Sequence, residues 1–472
     1  MTTQTLSTRT ASSEHHATQL GWGLLLLFGC VFGGLYWAGQ AALLQFAYPL
    51  AAFFVAAWLY LTQPVLYVGL ALWMWMITPF VRRVLDYQMG EYTSLSLAMT
   101  APLAVGGLAL FTMARYGRRL LRRQNLPFAL AAVGILYGYG IGVLQNGPVS
   151  ATMSMLGWLL PLALAFHMVV YWKHYPAYRQ VIQSSFVWMM LVTGAYGIVQ
   201  FLYPPPWDAL WMEGSGMLSI GQPAPFEVRV FSTLNSPGPY AMVALAGLVM
   251  LFAKRGGLAR LATGAGAGGL LLSLVRSAWG GWIVALGYMI VQSTGALRKR
   301  LIAILTVSAI VCLPLFFVSP IAERVGDRTE TLTQLEDDSS MLVRLHFLGV
   351  AARWVLTDPI GSGLGSVGSS AKMSRGEQHM AFDNGFLSVL FTLGWLGGGL
   401  FYAGVGMLLY RMIRIDRSQA DPSTVVFSAV AVSFVAVLFF TNVFAGVMGL
   451  MFWTGLSLTL ASGRYHAAAP AS

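Results

Sequence analysis

Long runs of apolar residues alternate along the chain with short polar or basic segments. A transmembrane helix needs about 20 predominantly apolar residues, and it satisfies its own backbone hydrogen bonds inside lipid. The pattern therefore predicts an all-α polytopic membrane protein with about 12–14 transmembrane helices. The predicted helices cover residues 20–38, 41–62, 64–81, 97–114, 127–145, 150–171, 182–203, 236–253, 258–275, 277–296, 301–318, 385–410, 423–441 and 446–462.

The composition supports the same fold class. Of the 472 residues, 57% are hydrophobic and only 10% are charged, whereas about a quarter of the residues in soluble domains are charged. An ordinary soluble protein is therefore excluded. Residues 1–19 are polar and lead into the first apolar segment without a cleavage pattern of small residues. We expect a cytoplasmic tail there rather than a signal peptide.

The positions of lysine and arginine indicate the orientation of the chain. Short loops rich in these residues stay on the cytoplasmic side of a membrane, and the predicted spans place these loops on the same side as the N-terminus. We therefore expect both termini to be cytoplasmic. The net charge of +11 reflects orientation and contact with membrane lipids rather than nucleic-acid binding. The basic loops are residues 115–123, 172–179, 254–260, 298–300 and 411–417.

Two segments on the predicted outer side are long, and long loops usually function or are disordered. Their many aromatic and aliphatic residues argue against disorder. The second segment carries its own helical pattern, so we expect a large helical periplasmic loop between late spans. The predicted organisation is a cytoplasmic tail (1–19), a transmembrane scaffold (20–203), an outer loop (204–235), transmembrane helices with Arg276 (236–318), the large outer loop (319–384), C-terminal transmembrane helices (385–462) and a cytoplasmic tail (463–472).

Arginines on the outer side are informative because the charge rule predicts few of them there. Arg276 lies between two apolar runs in LLLSLVRSAWGGWIVAL, so its guanidinium must lie within or close to the interface. Two interpretations stay open: the side chain reaches phospholipid headgroups, or it is a fixed cation for an anionic lipid-linked substrate. The other outer arginines are Arg82, Arg83, Arg229, Arg344 and Arg353.

Arg229 lies in FEVRVFSTLNSPGPYAM, whose alternating residues predict an extended segment. Ser236 or Asn235 is expected to cap the helix that follows, with Pro237 in its first turn. A solvated charge, or a pair with Glu227, is the alternative to a functional role for this arginine.

The segment DDSSMLVRLHFLGVAARWVLTDPIGSGLGSVG predicts a helix that starts near Ser339 and ends before Pro359. Arg344 and Arg353 lie about 180° apart on it, so only one of them can face a given site. The final GSGLGSVG has the GxGxxG spacing, but no predicted strand precedes it. We therefore reject a dinucleotide-binding fold.

A candidate general base precedes the predicted span at 385–410. Neutral His379 can accept a proton from a hydroxyl near neutral pH. Asp383, four residues later, can orient this histidine or be the base itself; the alternative is an inert, exposed histidine. The outer side carries none of the usual metal-binding motifs, so we expect no metal.

The order of these motifs resembles that of the O-antigen ligase and Wzy-type polysaccharide polymerase superfamily. Arg229 with STLNSPGPYA comes first, then LVRSAWGGWIV, the loop segment beginning DDSSMLVRLHF, and HMAFDNGFLSVLFTLGWLGGGLFY. The resemblance covers residues 225–405. It assigns Arg229, Arg276 and Arg344 to the diphosphate of the substrate, with Arg276 also catalytic.

The resemblance implies a GT-C-like fold and a metal-independent membrane glycosyltransferase without cofactors. The implied reaction moves a glycan from a polyprenyl diphosphate carrier to an acceptor hydroxyl, at the outer face of the bacterial inner membrane. The expected partners are therefore the lipid-linked oligosaccharide, an acceptor glycan and other polysaccharide assembly proteins.

One departure from the family pattern bears on the choice of function. In the ligases a His followed by Asn precedes the late span and is the proposed base, whereas here that dipeptide is Asp383-Asn384 and His379 lies four residues earlier. The departure favours a polymerase of exopolysaccharide or O-antigen. The alternatives are an O-antigen ligase that transfers the glycan to lipid A-core and a transporter of the lipid-linked oligosaccharide.

Overall fold

A computed structural model describes the backbone of residues 2–120, 122–293, 295, 298–303, 306, 349–374, 384–415 and 421–468. These residues form helices and no strands; one isolated bridge pairs Gly221 with Val228. The prediction of an all-α polytopic membrane protein is confirmed, since nine helices in the described part are long and apolar enough to cross a membrane.

The helices follow the predicted spans closely. The predicted helix 301–318 lies almost wholly outside the described residues. Residues 298–303 and 349–357 are also helical. The helices are α1 (Thr2–Trp37), α2 (Ala41–Thr62), α3 (Pro64–Met89), α4 (Ala101–Arg115), α5 (Gly117–Leu120), α6 (Leu126–Gln145), α7 (Pro148–Val170), α8 (Tyr175–Leu202), α9 (Pro206–Ser215), α10 (Pro237–Leu251), α11 (Gly257–Leu272), α12 (Arg276–Gln292), α13 (Gly385–Ile413), α14 (Pro422–Val437) and α15 (Gly446–Ala468), with 3-10 turns at Leu97–Thr100, Trp172–His174, Leu218–Ile220 and Gly368–Met373.

The basic loops meet at one end of the helix bundle, which we call the basic end. The Arg411 guanidinium donates to the carbonyl oxygen of Arg123 at 2.8 Å, joining the end of α13 to the loop before α6. The Arg300 guanidinium donates to the carbonyl oxygen of Lys254, also at 2.8 Å. Hydrogen bonds between distant loops therefore gather the positive charge that the sequence distributes along the chain.

Helix α13 is interrupted within the apolar segment that the sequence predicts as one continuous helix. Gly394 has φ 66° and ψ 179°, a conformation that is essentially restricted to glycine. Residues 359–362 fill the break: the Ser362 amide donates to the Phe391 carbonyl oxygen at 2.8 Å, and the Trp395 amide donates to the Pro359 carbonyl oxygen at 2.9 Å. The loop thus forms hydrogen bonds with backbone groups that have no partner within the helix because of the break.

The glycine-rich segment after this loop packs against α6. The Leu364 amide donates to the Gly138 carbonyl oxygen at 2.9 Å, and the Asn146 side-chain amide donates back to the Leu364 carbonyl oxygen at 3.2 Å. Gly363 has a positive φ of 71°, and a Cβ there would lie 2.3 Å from the Gly142 nitrogen. The GxGxxG spacing therefore serves close backbone packing, with no strand before it in the described part of the chain.

The break in α13 predicts a strong effect of Gly394→Ala. The new Cβ would lie 2.1 Å from the Ile360 carbonyl oxygen, at a φ that disfavours alanine. We expect the free energy of unfolding in detergent to fall by about 2–4 kcal/mol. Gly399→Ala in the same helix is the control, because a Cβ there meets no atom within 4 Å. Equal stability of the two variants would show that the break does not depend on glycine.

Candidate functional site

Arg83, one of the arginines that the sequence places on the outer side, is a buried structural residue. Helix α3 continues to Met89, past its predicted end at residue 81, and Arg83 is only 1% exposed within it. Its Nε lies 3.3 Å from Asp208 Oδ1. Its terminal nitrogens donate to the carbonyl oxygens of Ser232 and Leu234. One guanidinium thus holds both ends of the outer loop predicted at residues 204–235.

Asp208 extends this contact into a network. Its Oδ2 accepts hydrogen bonds from the Tyr196 hydroxyl at 2.7 Å and from the Gln200 side-chain amide at 2.6 Å. The side-chain oxygen of Gln200, Oε1, in turn accepts from the Phe231 and Ser232 amides. Burial raises the pKa of the Asp208 carboxyl, and Arg83 with the two hydrogen bonds opposes the rise. The loop is therefore attached to α3 and α8 by groups that few waters can reach.

Arg82 is buried as well. Its Nε lies 3.3 Å from Asp86 Oδ2 one turn along α3, and its guanidinium carbon lies 4.5 Å from the centre of the Trp211 ring in α9. Arg82 and Arg83 therefore fix the loop. The argument that an arginine on the outer side binds an anionic substrate does not extend to them.

Arg229 remains partly exposed and contacts the junction between α11 and α12. Its guanidinium donates to the Ser219 carbonyl oxygen at 3.0 Å and to the Leu274 carbonyl oxygen at 3.3 Å. The neighbouring Val230 amide donates to the Leu272 carbonyl oxygen at 3.1 Å. Backbone and side-chain bonds thus fix Arg229 beside the residues that lead into Arg276.

Arg276 is the first residue of α12 and is partly buried. Leu274, two residues earlier, has a positive φ of 55°, which turns the chain sharply between α11 and α12. Free amides and the helix dipole make a helix N-terminus favourable for anions. A guanidinium at that position adds to the positive electrostatic potential of the helix start. Arg276 and the start of α12 therefore favour an anion at the same place.

Two buried oxygens near the start of α10 have no hydrogen-bond partner among the described residues: Asn235 Oδ1 and Thr233 Oγ1. Pro237 occupies the first turn as predicted, but the predicted side-chain cap is wrong. Ser236 is extended and makes no capping hydrogen bond. Since buried polar groups are usually paired, Asn235, one of the two predicted caps, and Thr233 leave two oxygens that hydroxyl donors could satisfy.

The starts of α12 and α13 come together on the end of α14. A Cβ at Gly281 in α12 would lie 2.7 Å from the Val437 side chain, and the Gly385 amide donates to the Leu438 carbonyl oxygen at 2.8 Å. Asn384 begins α13, and its side chain accepts from the Leu387 amide at 3.0 Å. The residue that follows Asp383 in the sequence is therefore on the same end of the bundle as Arg276.

The helices that support this site are short. Helices α10, α12 and α14 have 15, 17 and 16 residues. Their lengths are about 22 to 26 Å, less than the hydrocarbon thickness of about 30 Å. When the ends of these helices at the basic end lie at one membrane surface, Arg276, at the other end of α12, lies within the bilayer, below the opposite surface.

Three of the predicted site residues, Arg344, His379 and Asp383, lie outside the described residues. Arg353 is on the helical segment 349–357 and is exposed. Of the predicted cluster, the structure thus brings Arg229 and the Arg276 junction together. Sequence reasoning missed Asn384 and Thr233, and the only signal for Asn384 was its place in the altered dipeptide.

Comparison with protein families gives one match. Residues 261–402 match the family model described as O-antigen ligase. This segment is therefore similar in sequence to the O-antigen ligase family. The resemblance to the O-antigen ligase and Wzy-type superfamily is thereby confirmed. The match covers less than a third of the chain; it includes Arg276, Arg344, His379 and Asp383, whereas Arg229 precedes it.

No curated protein matches the chain. The similarity to the O-antigen ligase family supports a glycan transfer function of the ligase or polymerase type. It implies a lipid-linked oligosaccharide and an acceptor glycan as substrates. The multiple apolar helices agree with a multi-pass membrane enzyme of this kind.

The contact between Arg83 and Asp208 predicts a large loss of stability in Asp208→Ala, because the variant leaves a buried guanidinium without its carboxylate. We expect the free energy of unfolding to fall by about 3–5 kcal/mol, measured by denaturation in detergent. Glu213→Ala removes an exposed carboxylate from the same helix and is the control. The network has no structural role if both variants unfold alike.

Proposed function

We propose that the protein is a Wzy-like polymerase, which transfers a glycan from a polyprenyl diphosphate carrier to the hydroxyl of an acceptor sugar. The observation that carries the proposal is the contact of Arg229 with the chain leading into Arg276, at the start of α12. Two guanidinium groups and a helix N-terminus in a partly buried site suit a diphosphate, since guanidinium groups bind phosphate oxygens through paired hydrogen bonds.

The reaction follows from this charge arrangement. The acceptor hydroxyl oxygen forms a bond to the anomeric carbon, and the bond from that carbon to the diphosphate oxygen breaks. The electron pair stays with the diphosphate, whose growing charge Arg276 and Arg229 stabilise, together with Arg344 as the third predicted arginine. The acceptor proton passes to a base on the protein. Attack from the side opposite the diphosphate inverts the anomeric centre.

His379 and Asp383 are the proposed bases. Both precede Asn384 in the sequence, and Asn384 caps the start of α13 on the end of the bundle that carries Arg276. Asn235 Oδ1 and Thr233 Oγ1 are buried oxygens at this end without partners in the described part of the chain. We infer that they accept hydrogen bonds from sugar hydroxyls and help to orient the glycan.

An O-antigen ligase is the second candidate. The family model that matches residues 261–402 is described as O-antigen ligase, which supports transfer to lipid A-core. The Asp383-Asn384 dipeptide in place of the His-Asn of the ligases supports the polymerase. Acceptor specificity separates them: purified protein and lipid-linked oligosaccharide are given either a second carrier-linked repeat unit or lipid A-core.

A transporter of the lipid-linked oligosaccharide is less well supported. Transporters commonly use broken helices whose free backbone groups bind the substrate, and α13 is broken at Gly394. However, the loop at residues 359–362 hydrogen-bonds both sides of that break. The break therefore has protein partners in place of a transported molecule.

The proposed location is the bacterial inner membrane, with the basic end and both termini in the cytoplasm and the site on the periplasmic side. The gathering of the basic loops supports this orientation. The proposed reaction uses no metal or cofactor, because the carrier diphosphate is itself the leaving group and arginines balance its charge.

Arg276→Ala tests the diphosphate site. Loss of one preorganised donor lowers turnover by about 10²–10³-fold, so we expect almost no new glycosidic bonds from purified protein and lipid-linked oligosaccharide. Arg260→Ala is the control, because Arg260 is exposed at the basic end. Polymer of wild-type length from a membrane-inserted Arg276→Ala protein would refute the proposal.

The base is identified by separate His379→Ala and Asp383→Ala variants. Loss of a general base lowers turnover by about 10²–10⁴-fold. We expect one variant to lose activity to this extent while binding of the lipid-linked oligosaccharide persists. If both variants retain wild-type turnover, the base lies elsewhere.

A further inference from the structure

A second concentration of positive charge lies at the basic end, away from the proposed glycan site. Arg179 of α8, Lys254 and Arg255 between α10 and α11, and Arg300 line a cavity of about 720 Å³. They come from three separate stretches of chain. The described residues that line the cavity include no carboxylate.

The structure brings these charges closer than membrane orientation requires. A residue that only sets orientation can remain in a solvated loop. Here burial lowers the pKa of Lys254, and the nearby Arg179 lowers it further. Burial and the charge of Arg255 likewise lower the pKa of Arg300. Mutual repulsion of this kind is relieved when an anion enters between the groups.

One nearby carboxylate balances part of the charge. Asp421, at the start of α14, lies 2.9 Å from Arg179 and 3.6 Å from His466. It also accepts a hydrogen bond from the Tyr175 hydroxyl at 2.7 Å. Asp421 thus pairs with Arg179, and among the described residues no ion pair balances the other three basic side chains of the lining.

Gln183 supplies the second observation. It lies one turn after Arg179 on α8, lines the cavity and is only 4% exposed. Its Nε2 has no hydrogen-bond partner among the described residues. A buried amide donor without a partner is costly, so the cavity presents an unused neutral donor together with its cationic groups. Such donors complement the oxygens of a phosphate.

The walls of the cavity also suit a lipid. Phe252 and Pro422 contribute apolar surface beside the basic groups. Leu258 and Leu261 follow Arg255 on α11 and are 40% and 65% exposed, as expected of side chains that face acyl chains. The lining therefore combines basic and apolar surface, as a phospholipid headgroup with its attached tails requires.

We propose that this cavity binds a phosphate group, supplied by the headgroup of an anionic phospholipid in the leaflet at the basic end. The site is separate from the glycan transfer site and does not depend on its chemistry. A bound lipid would join α8, the start of α14 and the segment after α12, and thereby stabilise the bundle at this end.

The test measures thermal unfolding of the full-length detergent-solubilised protein against added phosphatidylglycerol. We expect a saturable rise in the unfolding temperature, and no comparable rise with zwitterionic phosphatidylcholine. Gln183→Leu, which leaves the net charge unchanged, should weaken the apparent affinity for phosphatidylglycerol about tenfold. Arg255→Gln, a change at an exposed side chain that the fold tolerates, should weaken it to a similar degree.

Arg122→Gln is the matched control, because Arg122 is exposed in another basic loop. Equal weakening in all three variants would assign the lipid effect to the overall charge of the basic end and overturn the proposal. Sodium phosphate and pyrophosphate form the second arm. If they stabilise the wild-type protein as phosphatidylglycerol does, and Gln183→Leu abolishes that effect, the ligand is a soluble phosphate and the lipid assignment is wrong.

Discussion

The buried ion pair between Arg83 and Asp208 connects the membrane-embedded helices to the segment that carries Arg229. A guanidinium without a partner in such surroundings would be very unfavourable, so the loop cannot leave α3 without exposing or stranding a charge. The same arginine donates to carbonyl oxygens near the start of α10. The positions of Arg229 and Asn235 therefore follow from a contact that takes no part in the proposed chemistry.

Close backbone packing holds α6 and α13 together in another part of the bundle. Gly134 and Gly138 of α6 lie against α13, where a Cβ at Gly134 would be 2.3 Å from the Gly397 carbonyl oxygen. Small residues at helix contacts in membranes let backbones approach in this way. The break at Gly394 and the loop at residues 359–364 occupy the same region, so this part of the predicted outer loop 319–384 is anchored against the helices.

Surroundings separate seven arginines of the described residues into three groups. Arg82 and Arg83 are buried against carboxylates and aromatic rings and support the fold. Arg229 and Arg276 are partly buried at a helix start, in the geometry proposed for a diphosphate. Arg179, Arg255 and Arg300 meet at the basic end, in the cavity proposed for a lipid phosphate. Residue type alone does not distinguish these roles, because each depends on the carboxylates and dipoles within a few ångströms.

The sequence by itself determined most of the helices in the described part of the chain and which of the loops are basic. Apolar length and the positions of lysine and arginine are local properties, and α2 begins and ends where the pattern predicts. It also indicated the family, through motifs within residues 261–402. The tertiary structure decided that Arg83 is structural, that Ser236 does not cap α10 and that α13 is broken. The first and the last depend on a partner from a distant segment, Asp208 for Arg83 and Ile360 for Gly394, and periodicity within one helix carries no information about that partner.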